Sequence, residues 1–154
     1  MTTYSGVLLH RIECVRSFEN VKAGDLGGWI EKEENLSQDG DCWVYDNARV
    51  CGNAEVYGNA WVCGNAWVCG NAWVCGNAEI CNIKDYIVFK NNWSTGRCFT
   101  WTRSNDKWKV GCFYGTGKEL IEKAYKDSDV SGRCYEAIVK AQDAIELAKE
   151  SEVK

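Results

Sequence analysis

The sequence predicts a mainly β chain that ends in a small α+β unit, and two observations carry that reading. From Val44 the chain runs through six hexads, VYDNAR, VCGNAE, VYGNAW, VCGNAW, VCGNAW and VCGNAE, before Ile80-Cys81. Past residue 83 this period stops, and strand-like runs give way to helical spacing. With 154 residues, 45% hydrophobic and 26% charged, the chain has the size and composition of one domain, or of two small units sharing a boundary. Three segments follow, a lead-in at 1–35, the repeat at 36–83 and the α+β unit at 84–154.

In the lead-in, GVLLHRIECVRSF alternates loosely and reads as an opening strand. Gly24, Gly27 and Gly28 then bracket a short apolar stretch, and Asn35-Leu36-Ser37 leads into the repeat, so this part reads as a strand or turn that caps it.

Within the hexads an aliphatic residue holds the first place (Val44, Val50, Val56, Val62, Val68, Val74, Ile80) and Ala the fifth (Ala48, Ala54, Ala60, Ala66, Ala72, Ala78). Ala and the next aliphatic residue stand two apart, so each A-x-V triplet is a short strand with both ends facing inward and the middle residue outward. The Gly-Asn pairs between triplets tolerate positive φ and turn the corners. Ten Cys are present, five of them at six-residue multiples from Cys51, and no CxxC pair occurs. That placement reads as reduced structural thiols rather than a disulfide framework or a metal site.

The hexads resemble those of left-handed parallel β-helices, in which three hexads close one coil of 18 residues. The resemblance implies that residue i stacks on i+18, placing Val44 on Val62 on Ile80, Cys51 on Cys69, and Trp43 over Trp61. Trp67 then follows Arg49, and Trp73 follows Glu55. Trp43, Trp61, Trp67 and Trp73 would stand on the outside, where they pack on flanking segments, form an oligomer interface or offer a stacking platform. Both coil ends need a cover, because a solenoid exposes strand edges there.

After the repeat, DYIVFK, CFTWTR and WKVGCF read as three strands, and GTGKELIEKAYKD and YEAIVKAQDAIELAKE as two helices. In the second helix Tyr135, Ile138, Val139, Ile145 and Ala148 form an apolar stripe, opposite Lys140, Asp143, Glu146 and Lys149.

The GDLGGW lead-in and the C-terminal segment are similar to those of phage and prophage proteins with such repeats. That resemblance implies a viral accessory role, either counter-defence by holding an anionic nucleotide-type immune signal or docking on a host or virion protein through the Trp faces. It also implies a homo-oligomer, with a trimer as the natural guess.

A net charge of −4 argues against broad DNA or membrane binding, and no run approaches a membrane span. The N-terminal segment lacks the pattern of a signal peptide, so a cytoplasmic location is expected. Basic residues concentrate in 84–112, where six Lys and Arg face two Asp among Trp93, Phe99, Trp101 and Trp108. This hairpin is the candidate ligand site. Arg97 and Arg103 can grip a phosphate, Ser94 and Thr95 can donate hydroxyls, and Gly96 lets backbone N–H groups approach. Trp101 can stack a base, and Lys109 adds charge. Phe99, Trp101 and Arg103 share one strand face, which suits a nucleotide or burial against the helices equally well.

Hexapeptide-coil acyltransferases also resemble this repeat and use a catalytic His near a subunit groove. The chain's one His, His10, lies outside the repeat, and no HExxH, GxSxG or phosphate-loop motif occurs. The expectation from sequence is therefore a non-catalytic binding protein without metal or cofactor.

Overall fold

The computed structural model describes the backbone of residues 2–4 and 6–153 and the side chains of 6–151. Each x-V pair of the repeat forms a two-residue strand: β4 (Trp43–Val44), β5 (Arg49–Val50), β6 (Glu55–Val56), β7 (Trp61–Val62), β8 (Trp67–Val68), β9 (Trp73–Val74) and β10 (Glu79–Ile80). They stack in parallel at a step of 18 residues, Val44 on Val62 on Ile80, Val50 on Val68 and Val56 on Val74. The ladder is made by bonds such as Tyr45 N–H to the Val62 carbonyl at 2.7 Å and Tyr57 N–H to the Val74 carbonyl at 2.9 Å. Every aliphatic and Ala position of the hexads is buried, and these side chains form one continuous core. Each buried Val contributes roughly 1.5–3 kcal/mol relative to exposure. Corners turn at Gly52, Gly58, Gly64, Gly70 and Gly76, whose φ values of 62–68° exact a steric cost from any residue with a Cβ.

The lead-in supplies an incomplete first coil. Strand β3 (Leu26–Ile30) pairs in parallel with β5, Trp29 beside Arg49, and Leu36 bridges to Val56. The step is 20 residues here rather than 18, the two extra residues lying between Leu36 and Trp43, and Asn35 ties this first coil to the next. Its fully buried amide accepts the N–H groups of Glu31 and Lys32 at 3.1 and 2.8 Å. It donates to the carbonyls of Gly52 and Ala54 at 3.2 and 2.9 Å. The paired glycines exist for closeness: a Cβ on Gly28 would sit 2.5 Å from the Ala48 carbonyl oxygen, and one on Gly27 2.6 Å from that of Val44. The strand expected from alternation forms as β2 (Val7–Glu13), which runs antiparallel to β3, and β1 (Thr2–Tyr4) lies antiparallel on β2.

The C-terminal unit has four antiparallel strands where three were expected: β11 (Tyr86–Lys90), β12 (Cys98–Thr102), β13 (Lys107–Val110) and β14 (Phe113–Gly115). The run WKVGCF is not one strand, because Gly111, at φ 55°, turns the chain back on itself. Helices α1 (Gly117–Asp127) and α2 (Asp129–Val153) follow. Thr116 caps α1 by accepting the Glu119 N–H at 3.2 Å.

This unit closes the far end of the coil with side chains instead of another strand. Thr100 Oγ1 accepts the Trp73 N–H at 2.9 Å, Ser104 Oγ the Glu79 N–H at 2.7 Å, and Asp85 Oδ2 the Cys81 N–H at 2.8 Å. The Tyr86 hydroxyl donates to the Trp67 carbonyl at 2.8 Å. These backbone groups on the last coil thus find partners without a further strand.

Two expectations are corrected here. The stripe of α2 that faces the sheet is not the apolar one in its second half: Tyr135, Val139 and Gln142 are buried, whereas Ile145 is 38% exposed and Ala148 is exposed. Arg103 at the end of β12 draws Glu146 inward at 2.9 Å, and Glu146 in turn holds Lys149 at 2.9 Å, so ion pairs dock this half. The cysteines are not all free either, since Cys63 and Cys81, stacked one coil apart, are joined by a disulfide while eight others remain thiols. Parallel stacking in register brings their Cα atoms to 4.5 Å, within bonding reach.

Candidate anion cleft at Arg97

The turn between β11 and β12 is built around Asn91, which is 2% exposed. Its Oδ1 accepts the N–H groups of Trp93 and Ser94 at 3.0 and 2.9 Å, and its Nδ2 donates to Ser94 Oγ at 3.1 Å. An Asx turn of this kind replaces backbone pairing where the chain reverses. Gly96, at φ 73°, completes the reversal, and Asn91 N–H closes it on the Arg97 carbonyl at 2.8 Å. Trp93 pins the turn to α2, its ring edge-on to Tyr135 at 5.0 Å and its Nε1 donating to Ser131 Oγ at 3.3 Å.

Arg97 projects from this turn across Gly111, where an added Cβ would come within 2.6 Å of its Nη1. Two cavities meet at it. A cavity of about 340 Å³ on the helix side is lined by Ser94, Thr95, Arg97, Lys123, Ser131 and Tyr135. A wider cleft of about 700 Å³ lies between the coil face and the sheet, lined by Glu55, Asn71, Trp73, Arg97, Cys98 and Cys112. Arg97 and Cys112 border both.

Positive charge gathers along this wall. Lys109 holds its ammonium 5.9 Å from the centroid of the Trp73 ring, a cation–π distance. The Arg97 side chain is exposed and, among the described residues, forms no ion pair, unlike Arg103. Burial pushes the Tyr135 hydroxyl up from its ordinary range, against the opposing pull of a hydrogen bond from Asn91 and of the Arg97 charge. Tyr135 therefore stays neutral at physiological pH and can act as a donor. The site as a whole can bind an anionic group beside a flat apolar surface.

Of the residues singled out in the sequence, Ser94, Thr95 and Arg97 line the helix-side cavity, Gly96 and Arg97 line the wider cleft, and Lys109 lies near its Trp73 wall. The structure does not bring Trp101 or Arg103 there. Trp101 is 4% exposed in the core between sheet and helices, its Nε1 donating to Asp106 at 2.8 Å. Arg103 pairs with Glu146 and with Asp85 at 3.6 Å. The physical reason is that both faces of β12 are covered, Phe99 and Trp101 by the helices and Thr100 by the coil. Asn91 and Tyr135 are contributors that sequence reasoning missed, the signal available being the Asn-Asn-Trp turn at 91–93, while Trp73 enters the cleft from the coil face on which it was expected to stand.

Of the outward Trp residues, Trp43 is not available as an interface, because it is 7% exposed beneath the edge of Phe18 at 5.7 Å. Trp61 is half-buried and edge-on to Tyr45 at 5.9 Å. Trp67 is half-buried and donates its Nε1 to Cys51 Sγ at 3.1 Å. Trp73 forms a wall of the cleft. His10 is exposed on β2, opposite Ile30, and lines neither cavity at Arg97.

No family model matches the chain. Over 48 residues it is 44% identical to a protein of Escherichia coli K12 named an uncharacterized acetyltransferase, YdcK. The match covers 31% of this chain and 15% of the length of that relative. This similarity to a named acetyltransferase overturns the expectation of a non-catalytic, nucleotide-holding counter-defence protein, and with it the expectation that the chain is not an enzyme.

Proposed function

We propose that the chain is an acyltransferase of the hexapeptide-coil kind, with a left-handed coil, acting on a phosphorylated acyl thioester such as acetyl-coenzyme A held at Arg97. The 44% identity to a protein named an acetyltransferase carries this reading. The cleft supports it by offering groups that such a donor needs. Arg97 and Lys109 meet phosphate charge, the Trp73 indole provides a flat apolar wall, and Glu55 supplies a carboxylate along the same cleft. In the reaction an acceptor amine or hydroxyl attacks the thioester carbonyl and passes its proton to Glu55. The carbon–sulfur bond then breaks, and the leaving thiolate takes that proton.

In this reading the protein works in the cytoplasm as a homotrimer, associating through the half-buried Trp61 and Trp67 faces. The GDLGGW lead-in supports kinship with phage and prophage repeat proteins. The test is thiol release from acetyl-coenzyme A in the presence of panels of amine and hydroxyl acceptors. Acceptor-dependent release is expected, lowered about 100-fold or more by Glu55→Gln and unchanged by His10→Ala. Release no faster than uncatalysed hydrolysis with every acceptor, from folded protein, would overturn the proposal.

A further inference from the structure

The second residue of each hexad forms a column at one corner of the coil. One column stacks Tyr45, Cys63 and Cys81, a second Cys51 and Cys69, and a third Tyr57 and Cys75. In the first column two cysteines one coil apart are already joined. We infer that Cys51 and Cys69 are a second, oxidisable pair that closes a disulfide along the neighbouring corner.

The pair stands in the same register as the bonded one. Val50 pairs with Val68 immediately before it, as Val62 pairs with Ile80 before Cys63 and Cys81. Cys51 N–H donates to the Val68 carbonyl at 2.9 Å, and Cys63 N–H to that of Ile80 at 2.8 Å. Parallel neighbours in register stand about 4.8 Å apart, inside the range that a disulfide spans. Burial pushes the Cys51 thiol up against the pull of the Trp67 hydrogen bond, and the neighbouring Cys69 adds to the rise. The third corner cannot follow, because Tyr57 stands over Cys75.

Access sets the order of events. Cys51 is 6% exposed and receives the Trp67 indole N–H, whereas Cys69, beside the Tyr86 hydroxyl, is half-buried and the more accessible of the two. A small disulfide oxidant such as oxidised glutathione is attacked by the Cys69 thiolate, giving a mixed disulfide and one reduced glutathione. Cys51 then attacks the Cys69 sulfur and releases the second glutathione. Two protein thiols are oxidised, one glutathione disulfide is reduced to two thiols, and the protons of Cys51 and Cys69 go to the departing thiolates. The product ties the coils together at two corners instead of one.

The experiment treats the full chain with oxidised glutathione, alkylates it under denaturing conditions and cleaves after Glu. Cys51 then falls in the segment 35–55 and Cys69 in 56–79. Because Cys63 already ties 56–79 to Cys81 in 80–119, the expected result is 35–55 added to that pair through Cys51 and Cys69, two fewer alkylated thiols, and a melting temperature higher by roughly 5 °C. Cys51→Ser should abolish that joint while leaving the one at Cys63 and Cys81. Full alkylation of Cys51 after oxidation, or glutathione retained on Cys69 with no internal joint, would overturn the inference.

Discussion

Thr100 Oγ1 accepts the backbone N–H of Trp73 at 2.9 Å, so a side chain of the C-terminal sheet takes the place of the strand that the next coil would have supplied. Thr100 is 1% exposed, and Val has nearly its shape without the acceptor. Thr100→Val should therefore cost about 1–3 kcal/mol by stranding a donor, measured as a lower midpoint in urea at unchanged slope.

Gly28 has a different kind of necessity from Gly70. A Cβ on Gly28 would collide with the Ala48 carbonyl at 2.5 Å, whereas at Gly70 it meets nothing within 4 Å and only the positive φ of 68° resists. Gly70→Ala should lose roughly 1 kcal/mol, and Gly28→Ala should lose roughly 2 kcal/mol or more. Equal losses on thermal denaturation would mean that the lead-in does not sit as a first coil.

Asn35 satisfies four backbone groups between the lead-in and the coil. Asn35→Ala should destabilise the chain by about 3 kcal/mol or more, and hydrogen exchange should show the N–H groups of Glu31 and Lys32 losing protection first.

Glu146 lies partly buried, which pushes its carboxyl up, yet hydrogen bonds from Lys149 and Arg103 outweigh that and hold it below the usual carboxylate range. A lowered folded-state pKa adds stability that is present above the unfolded value, about 4.3, and is lost as pH falls through the folded value. The stability advantage of the wild type over Glu146→Gln should be constant above about pH 5.5 and shrink on acidification below about pH 4.3. An advantage that grows toward acid pH would contradict the ion-pair docking of α2.

The coil was legible because its signal is local and repeated: Val and Ala at fixed places, with Gly-Asn at the corners, report inward and turning positions six residues at a time. The caps were not, since Thr100 meets Trp73 across 27 residues and nothing near either announces the other. Charge beside a Gly turn singles out Arg97, and the structure leaves that side chain exposed at both cavities. Trp101 and Arg103 were misplaced because alternation along β12 says which residues share a face but not what covers it. The α2 stripe failed for a related reason, as Arg103 turns a polar side of the helix inward.

Donor binding at Arg97 is open to titration calorimetry of acetyl-coenzyme A onto the intact protein and its Arg97→Ala variant. The side chain is exposed, so the variant should keep its melting temperature. Saturable binding by the wild type is expected, weakening roughly 10–100-fold in the variant, the worth of a charge-assisted contact. No heat of binding at millimolar donor, or equal affinity in both proteins, would contradict it.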